Sequence, residues 1–433
     1  MFINELFLQY VWQYKYFDHS DLRCESGEEL KILKTGQYNS HSGPDFFDSR
    51  IYINDALWVG NVELHVVTSD WKLHKHDSDP AYRNVILHVV YDHDEEKEKL
   101  TGNDIPVLSL KKRIPEELLA RYFDLIESRF PIACGKDIKR CPPVIINGWL
   151  DRVCVERLER KSAQILQLLV QMKYDWNEVF YTMLAKNYGF LVNALPFEML
   201  ARSLPENILS KHRDNPFQVE ALLFGQSGLL NEDFVDEYPA MLKKEYRFLR
   251  KKYTLKPIDP HIWKFMRLRP KNFPTVRLAQ FANMVIRGSH SFSKILETES
   301  VEEFREMFHA TTHPYWQNHY TFDKKSGQIE KTTGEDSINN ILINTVVPFL
   351  YSYSELRNED CYKERALKIL DTIGGEENRI VRLWRQAGIV SNNSFTSQAL
   401  IELFHSYCSQ KKCLSCSIGN KLISEHGQSG SKH

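Results

Sequence analysis

The chain has 433 residues, 42% of them apolar, and a formal net charge of −1. That length is enough for two or more domains with a sizeable core, and the balanced charge excludes a strongly basic chain, so any nucleic-acid surface must be local. Its eight cysteines, with no secretory leader before them, point to thiols or metal ligands in a reducing cytoplasm and away from a disulfide framework.

In chain order, MFINELFLQYVWQYKYF lacks a basic leader region and a small-residue cleavage site. It reads as an amphipathic helix with Leu6, Tyr10 and Trp12 among its apolar positions, not as a signal peptide. No run of about 18 apolar residues follows, so no membrane span is expected. EELKILKTG, SRIYIN, LWVGNVELHVV, NVILHVVY and IPVLSL read as strands, being short, β-branched or aromatic, and bounded by Gly, Asn, Asp or Pro. A short irregular or helical piece separates the third from the fourth. PEELLARYFDLIESR (115–129) then reads as a helix. This order predicts an α+β domain with a mixed sheet over residues 1–130. DHDEEKEK (92–99) is a charged loop within it. Residues 131–146, rich in Pro and Cys, form a connector. From 147 to 423 apolar residues recur at helical spacing with no fixed-period repeat, which predicts a large all-helical domain. Residues 424–433 read as a disordered tail.

Residues 43–65 read GPDFFDSRIYINDALWVGNVELH. Strand side chains alternate faces, so Glu63 and His65 point the same way. Gly43-Pro44 forces a turn and then extended chain, which fixes where Asp45 points. The hairpin that follows brings Asp45 beside Glu63. Two such carboxylates bind a hard cation, Mg²⁺ or Mn²⁺, which polarises a phosphate and lowers the pKa of an attacking water. Asp45, Glu63 and His65 are therefore candidate catalytic residues, with Asp45 and Glu63 as metal ligands. Just downstream, SDWKLHKHDSDPAYRNVILHVV adds His74, His76 and Asp79 as assisting candidates. His88 on the next strand shares the face of His65, and Lys72 or Lys75 offers a cation. The same run also reads as a separate His/Asp site for zinc or manganese, or as a polar turn.

This order resembles the PD-(D/E)XK, restriction-endonuclease-like, nuclease superfamily. The matching residues are Pro44-Asp45 and Glu63-Leu64-His65, with a helix before and strands after. The resemblance covers the N-terminal part and implies metal-dependent phosphodiester hydrolysis on DNA or RNA. It departs at His65, where the superfamily has a Lys that orients the water and stabilises charge. His65 would do part of this when protonated, or as a neutral base. Over the whole length, GPDF, GNVELHV, SDWxxHxH, ALLFGQSGLL, RLRPxNFPTxR and the terminal CxxxxCxxC also resemble a bacterial family carrying a domain of unknown function. That likeness implies a bacterial cytoplasmic protein and no particular activity.

Two further features bear on function. Residues 242–277 hold twelve Lys or Arg against Glu245 and Asp259, interleaved with Tyr246, Tyr253, Trp263, Phe265 and Phe273. Cations neutralise phosphates and aromatic faces stack on bases. Arg250, Lys251, Lys252, Trp263, Arg267, Arg269 and Arg277 are thus candidate nucleic-acid contacts. The plainer reading is a solvated helix face with core aromatics. Cys408, Cys413 and Cys416 form C-x4-C-x2-C, which suits zinc or an iron–sulfur cluster with a fourth ligand from Cys134, Cys141 or His405. Some members of the nuclease superfamily join an N-terminal Cys to a C-terminal triplet through a four-iron cluster, and the layout here is similar in outline. Two alternatives to a nuclease remain. One is a nucleic-acid-binding protein on a degenerate nuclease fold, the other a metal-dependent hydrolase of a small molecule. Convergence of Asp45, Glu63 and His65 separates them.

Overall fold

The computed structural model describes residues 3–94 and 105–425. The expected charged loop and the expected disordered tail lie largely outside the described residues. The chain divides into two units. One takes residues 1–150, 382–390 and 400–433, and the other takes 151–381 and 391–399. The C-terminal stretch therefore belongs with the N-terminal residues, where the sequence reading had grouped it with the helical part.

The first unit begins with α1 (Glu5–Gln13), started by Asn4, whose side chain accepts the Phe7 N–H. One side of α1 buries Phe7, Leu8, Tyr10, Val11 and Trp12, while Leu6 stays exposed. Full burial of one such apolar side chain contributes about 1.5–3 kcal/mol. Six strands follow: β1 (Leu30–Lys34), β2 (Gln37–Tyr38), β3 (Phe46–Ile53), β4 (Ala56–Val67), β5 (Val85–Asp92) and β6 (Val107–Ser109). They form one sheet in the order β1-β3-β4-β5-β6, with β2 on β3. The first pairings are antiparallel, while β4–β5 and β5–β6 are parallel. The sheet is mixed and the fold class is α+β.

A parallel step needs a crossover. Here it is made by α2 (Asp70–Leu73) and two 3₁₀ turns, the irregular piece read from the sequence. Residues Val85–Val90 of β5 are buried on both faces, as a strand within a parallel pair requires. Gly60 lies where β4 meets β5. A Cβ there would overlap Ile86 and reach the Asn84 carbonyl oxygen at 2.6 Å, so the pairing needs glycine. After β6 comes α3 (Glu116–Glu127), and α4 (Pro143–Gln171) runs from the first unit into the second. The C-terminal helix Ser417–Ser424 returns to the first unit. There the Tyr10 hydroxyl donates to the Asn420 carbonyl (3.3 Å) and Arg121 Nε to the Ile423 carbonyl (2.8 Å).

The second unit is built of helices, interrupted by a two-stranded ribbon, His319–Thr321 with Lys324–Lys325. Among the described residues, no helix is long and apolar enough to cross a membrane.

Candidate functional site

The site starts from Gly43, whose φ of +99° is a left-handed conformation that glycine takes without a Cβ penalty. The turn delivers Asp45 to the foot of β3, where Phe46 pairs with Val62 of β4. The Asp45 N–H donates to Glu63 Oε2 (3.0 Å) and the Leu64 N–H donates back to Asp45 Oδ2 (3.0 Å). Gln9 Nε2 of α1 donates to Asp45 Oδ1 (2.7 Å). Asp45 thus has both oxygens engaged by the chain, locking α1, β3 and β4 together. Glu63 has one oxygen so engaged, and its Oε1 faces the histidines.

The parallel register sets Glu63 beside His88, so His65 and His88 reach the same face as Glu63. His65 is 1% exposed. Its Nδ1 lies 2.9 Å from His88 Nε2, and its Nε2 lies 3.1 Å from His74 Nδ1 and 3.7 Å from Glu63 Oε1. Lys75, at φ +61°, turns the chain between His74 and His76. His76 is stacked on Tyr82, with ring centroids 3.7 Å apart, and meets the edge of Trp71 at 5.3 Å. Trp71 is buried and its indole N–H donates to Asp77 (2.7 Å). His76 Nε2 is a buried nitrogen with no hydrogen-bond partner, 3.4 Å from Glu63 Oε1. Ligand nitrogens of His65, His74 and His76 all lie within 4.8 Å of one another. His74 is exposed, so the cluster opens to solvent on its side.

Burial raises Glu63 well above the usual carboxylate range, and the neighbouring Asp45 adds to it. Asp45 is raised by burial too, with Glu5 of α1 adding its charge. His65 is pushed down to about 2 and His88 to about 3, first by burial and then by neighbouring imidazoles. His76 is lowered by burial, with His74 adding. Burial lifts the Tyr82 phenol to about 12, Glu63 and Asp45 adding to it. Burial thus favours the uncharged forms of Glu63, His65, His76 and His88. Neutral imidazole is the metal-binding form. Nitrogens 3.1 Å apart also suit one metal held by each at about 2.1 Å. With an unpartnered nitrogen aimed among them, the residues fit a divalent transition metal.

Over residues 5–379 the chain matches the family described as "Protein of unknown function (DUF2851)". It belongs to that family. No curated protein and no solved structure matches it. The stretch matched to DUF2851 includes the whole histidine and acid cluster and Cys134, and ends before Cys408.

In this DUF2851 chain, Asp45, Glu63, His65, His74 and His76 come together. The three imidazoles form a group that could hold a metal ion, with Glu63 Oε1 beside them, and Asp45 is held in hydrogen bonds to the chain. Asp79 stands outside the cluster: it is exposed, and its side chain accepts the Ala81 N–H (2.9 Å), capping the turn that carries Tyr82. Lys72 and Lys75 are exposed. Glu5, Gln9, Trp71 and Tyr82 escaped the sequence reading. Glu5 and Gln9 are four apart, on one face of α1, and that spacing was a signal for them.

Within the second unit, Arg250, Lys251, Lys252, Arg267 and Arg269 are exposed. Trp263 and Arg277 are not surface contacts. Trp263 is core, edge-on to Phe197, with its indole N–H donating to the Ser227 carbonyl (2.8 Å). Arg277 is buried over the Phe190 ring and donates to Gln280 (3.0 Å), Asn272 (2.6 Å) and Ser337 (3.1 Å). The core needs the aromatic volume and the fork of donors more than the surface does.

All eight cysteines are free thiols. Cys134, Cys408, Cys413 and Cys416 gather in the first unit. Burial raises the Cys408 thiol, with the other three adding to it, and burial raises Cys134, with Cys416 and Cys413 adding. Burial raises the Cys141 thiol, against a lowering by Lys421, and His405 is exposed.

Proposed function

We propose that this chain is a metal-dependent hydrolase of phosphodiester bonds in nucleic acid. The observation that carries the reading is the meeting of Glu63 with His65, His74 and His76. Its position on a mixed sheet behind a helix, with Asp45 alongside, agrees with the nuclease resemblance. A divalent metal supplies Lewis acidity toward a phosphoryl oxygen and acidifies water. His65, His74 and His76 would hold it, with Glu63 beside them. Imidazole ligands favour manganese or zinc over the magnesium that two carboxylates alone would suit.

The remaining residues position. When His65 offers Nε2, its Nδ1–H donates to His88 Nε2, an outer partner that fixes the ring. Tyr82 and Trp71 hold His76 and exclude water from that side. Asp45 is a positioning residue that orients Glu63 through its backbone N–H. A cation held by the three imidazoles would favour the ionised form of Glu63, whose Oε1 would then be placed to accept a proton from water. The exposed cations Arg250, Lys251, Lys252, Arg267 and Arg269 are suited to a phosphate backbone.

The test is cleavage of labelled single- and double-stranded DNA and RNA with Mn²⁺ or Zn²⁺, wild type beside Glu63→Gln. Metal-dependent cutting should fall by about 10²-fold or more in the variant, the scale of a lost acid–base group. Equal cutting by both proteins would place the activity elsewhere. Binding without cutting would leave a nucleic-acid-binding protein. Hydrolysis confined to small phosphodiesters would remove the polymer from the reading.

A further inference from the structure

The candidate metal site uses the end of β4 that pairs with β5, and the other end of the strand stands open. β4 is twelve residues long, but β5 pairs with it only from Asn61 onward. Residues 56–60 therefore have β3 on one side and, among the described residues, no strand on the other. Ladder bonds alternate in direction along an antiparallel pair. The Asn54 N–H donates away from β4, to the Glu29 carbonyl (2.8 Å), and the Asn61 N–H donates away from β3, to the Asn84 carbonyl (2.8 Å). By the same alternation Leu57 and Val59 turn their N–H and C=O groups away from β3, into the open edge. Leu57, Trp58 and Val59 are 49%, 42% and 52% exposed in a row, so both faces of the strand are bare here as well. Folded chains guard a strand edge with charge. β1, at the margin of the sheet, carries Lys31 and Lys34, while residues 56–60 read ALWVG and carry none.

We propose that this edge of β4 pairs antiparallel with the same edge of a second copy of the chain. With Leu57 of one copy opposite Val59 of the other, the two residues exchange both backbone hydrogen bonds, and the twofold axis repeats the exchange. The two Trp58 side chains then face each other as a close cross-strand pair. Ala56 of each copy meets Gly60 of the other, so the added hairpin ends where β5 begins. The charges fit the same arrangement. Asp55 lies in the turn at one end of the open edge, and Arg83 lies just before β5 at its other end. Both are exposed and, among the described residues, neither forms an ion pair. Antiparallel pairing sets Asp55 of each copy toward Arg83 of the other, whereas parallel pairing would set like charges together. The edge is thus complementary to itself. A strand pair of this length is a small interface, so the dimer dissociates on dilution. Nothing in it depends on the metal site.

The test is sedimentation velocity of the full chain over a dilution series. Wild type should pass from monomer to dimer as concentration rises. Val59→Pro removes an outward N–H and keeps the bonds to β3. It should raise the dissociation constant about 10-fold or more, the scale of two lost hydrogen bonds, one from each copy. Leu57→Lys puts a charge on the edge and should act the same way. Asp55→Arg should weaken the dimer, and Arg83→Asp added to it should restore the wild-type constant. A wild type that stays monomeric at every concentration overturns the proposal, whether or not the variants fold and whether or not a foreign peptide binds the edge. So does a dimer that Val59→Pro and Leu57→Lys leave unchanged, or a double charge swap that recovers nothing of what Asp55→Arg loses.

Discussion

At His76 one ring is held from three sides: Tyr82 stacks on it, Trp71 meets its edge, and Glu63 Oε1 lies 3.4 Å from its Nε2. Removing the stack should free the ring. Tyr82→Ala is expected to weaken Mn²⁺ or Zn²⁺ binding about 10-fold, the lower scale for a lost outer partner, while Tyr82→Phe keeps wild-type affinity. Calorimetric titration decides between them. Protons act at the same scale. Unfolded histidine titrates near 6.5, and the fold pushes His65 to about 2 and His88 to about 3. A depressed value means that stability is full above about 6.5 and is lost as pH falls from there, by up to about 1.4 kcal/mol per pH unit for each ring. Asp45 and Glu63 are raised and act the other way, with their contribution full below the ordinary carboxylate range and falling as pH rises. Metal-free protein should therefore weaken toward both acid and alkali. Chemical denaturation from pH 5 to 8 should show a shallower acid limb in His88→Gln than in wild type; equal slopes would contradict this account of His88.

Among the elements, β4 carries the most. Its parallel pairing with β5 sets Glu63 against His88 and depends on Gly60. Gly60→Ala should push β5 away and cost about 1–3 kcal/mol, the range for overpacking, read as a lower urea midpoint. Every strand but the two-residue β2, and the shared face of Glu63 and His65, were legible, because a period of two is written locally. Which way His74 and His76 turn was not, and the run reads equally as assisting residues, a separate metal site or a polar turn. In an irregular turn, spacing sets no direction; Lys75 in a left-handed conformation and the buried Trp71 supply it. Trp263 and Arg277 read as surface because a run of cations surrounds them, yet the core takes both. The return of the C-terminal helix to α1 and α3 left no local trace either. Apolar periodicity marks a buried face without naming what covers it.

For the molecule as a whole, the first unit holds the three imidazoles with Glu63 and also contains Cys134, Cys408, Cys413 and Cys416. The second unit contributes helices and exposed cations. Membership in the DUF2851 family spans the histidine cluster and most of the second unit, so the site and the helical part belong to one architecture. The claim on which the rest depends is that His65, His74 and His76 hold a metal. An anomalous difference map from crystals grown with Mn²⁺, recorded at the manganese edge, tests it most directly. The account predicts a peak about 2.0–2.3 Å from a ring nitrogen of each of the three histidines, with Glu63 alongside. A map with no peak among those nitrogens, or with density only at other sites, would contradict it.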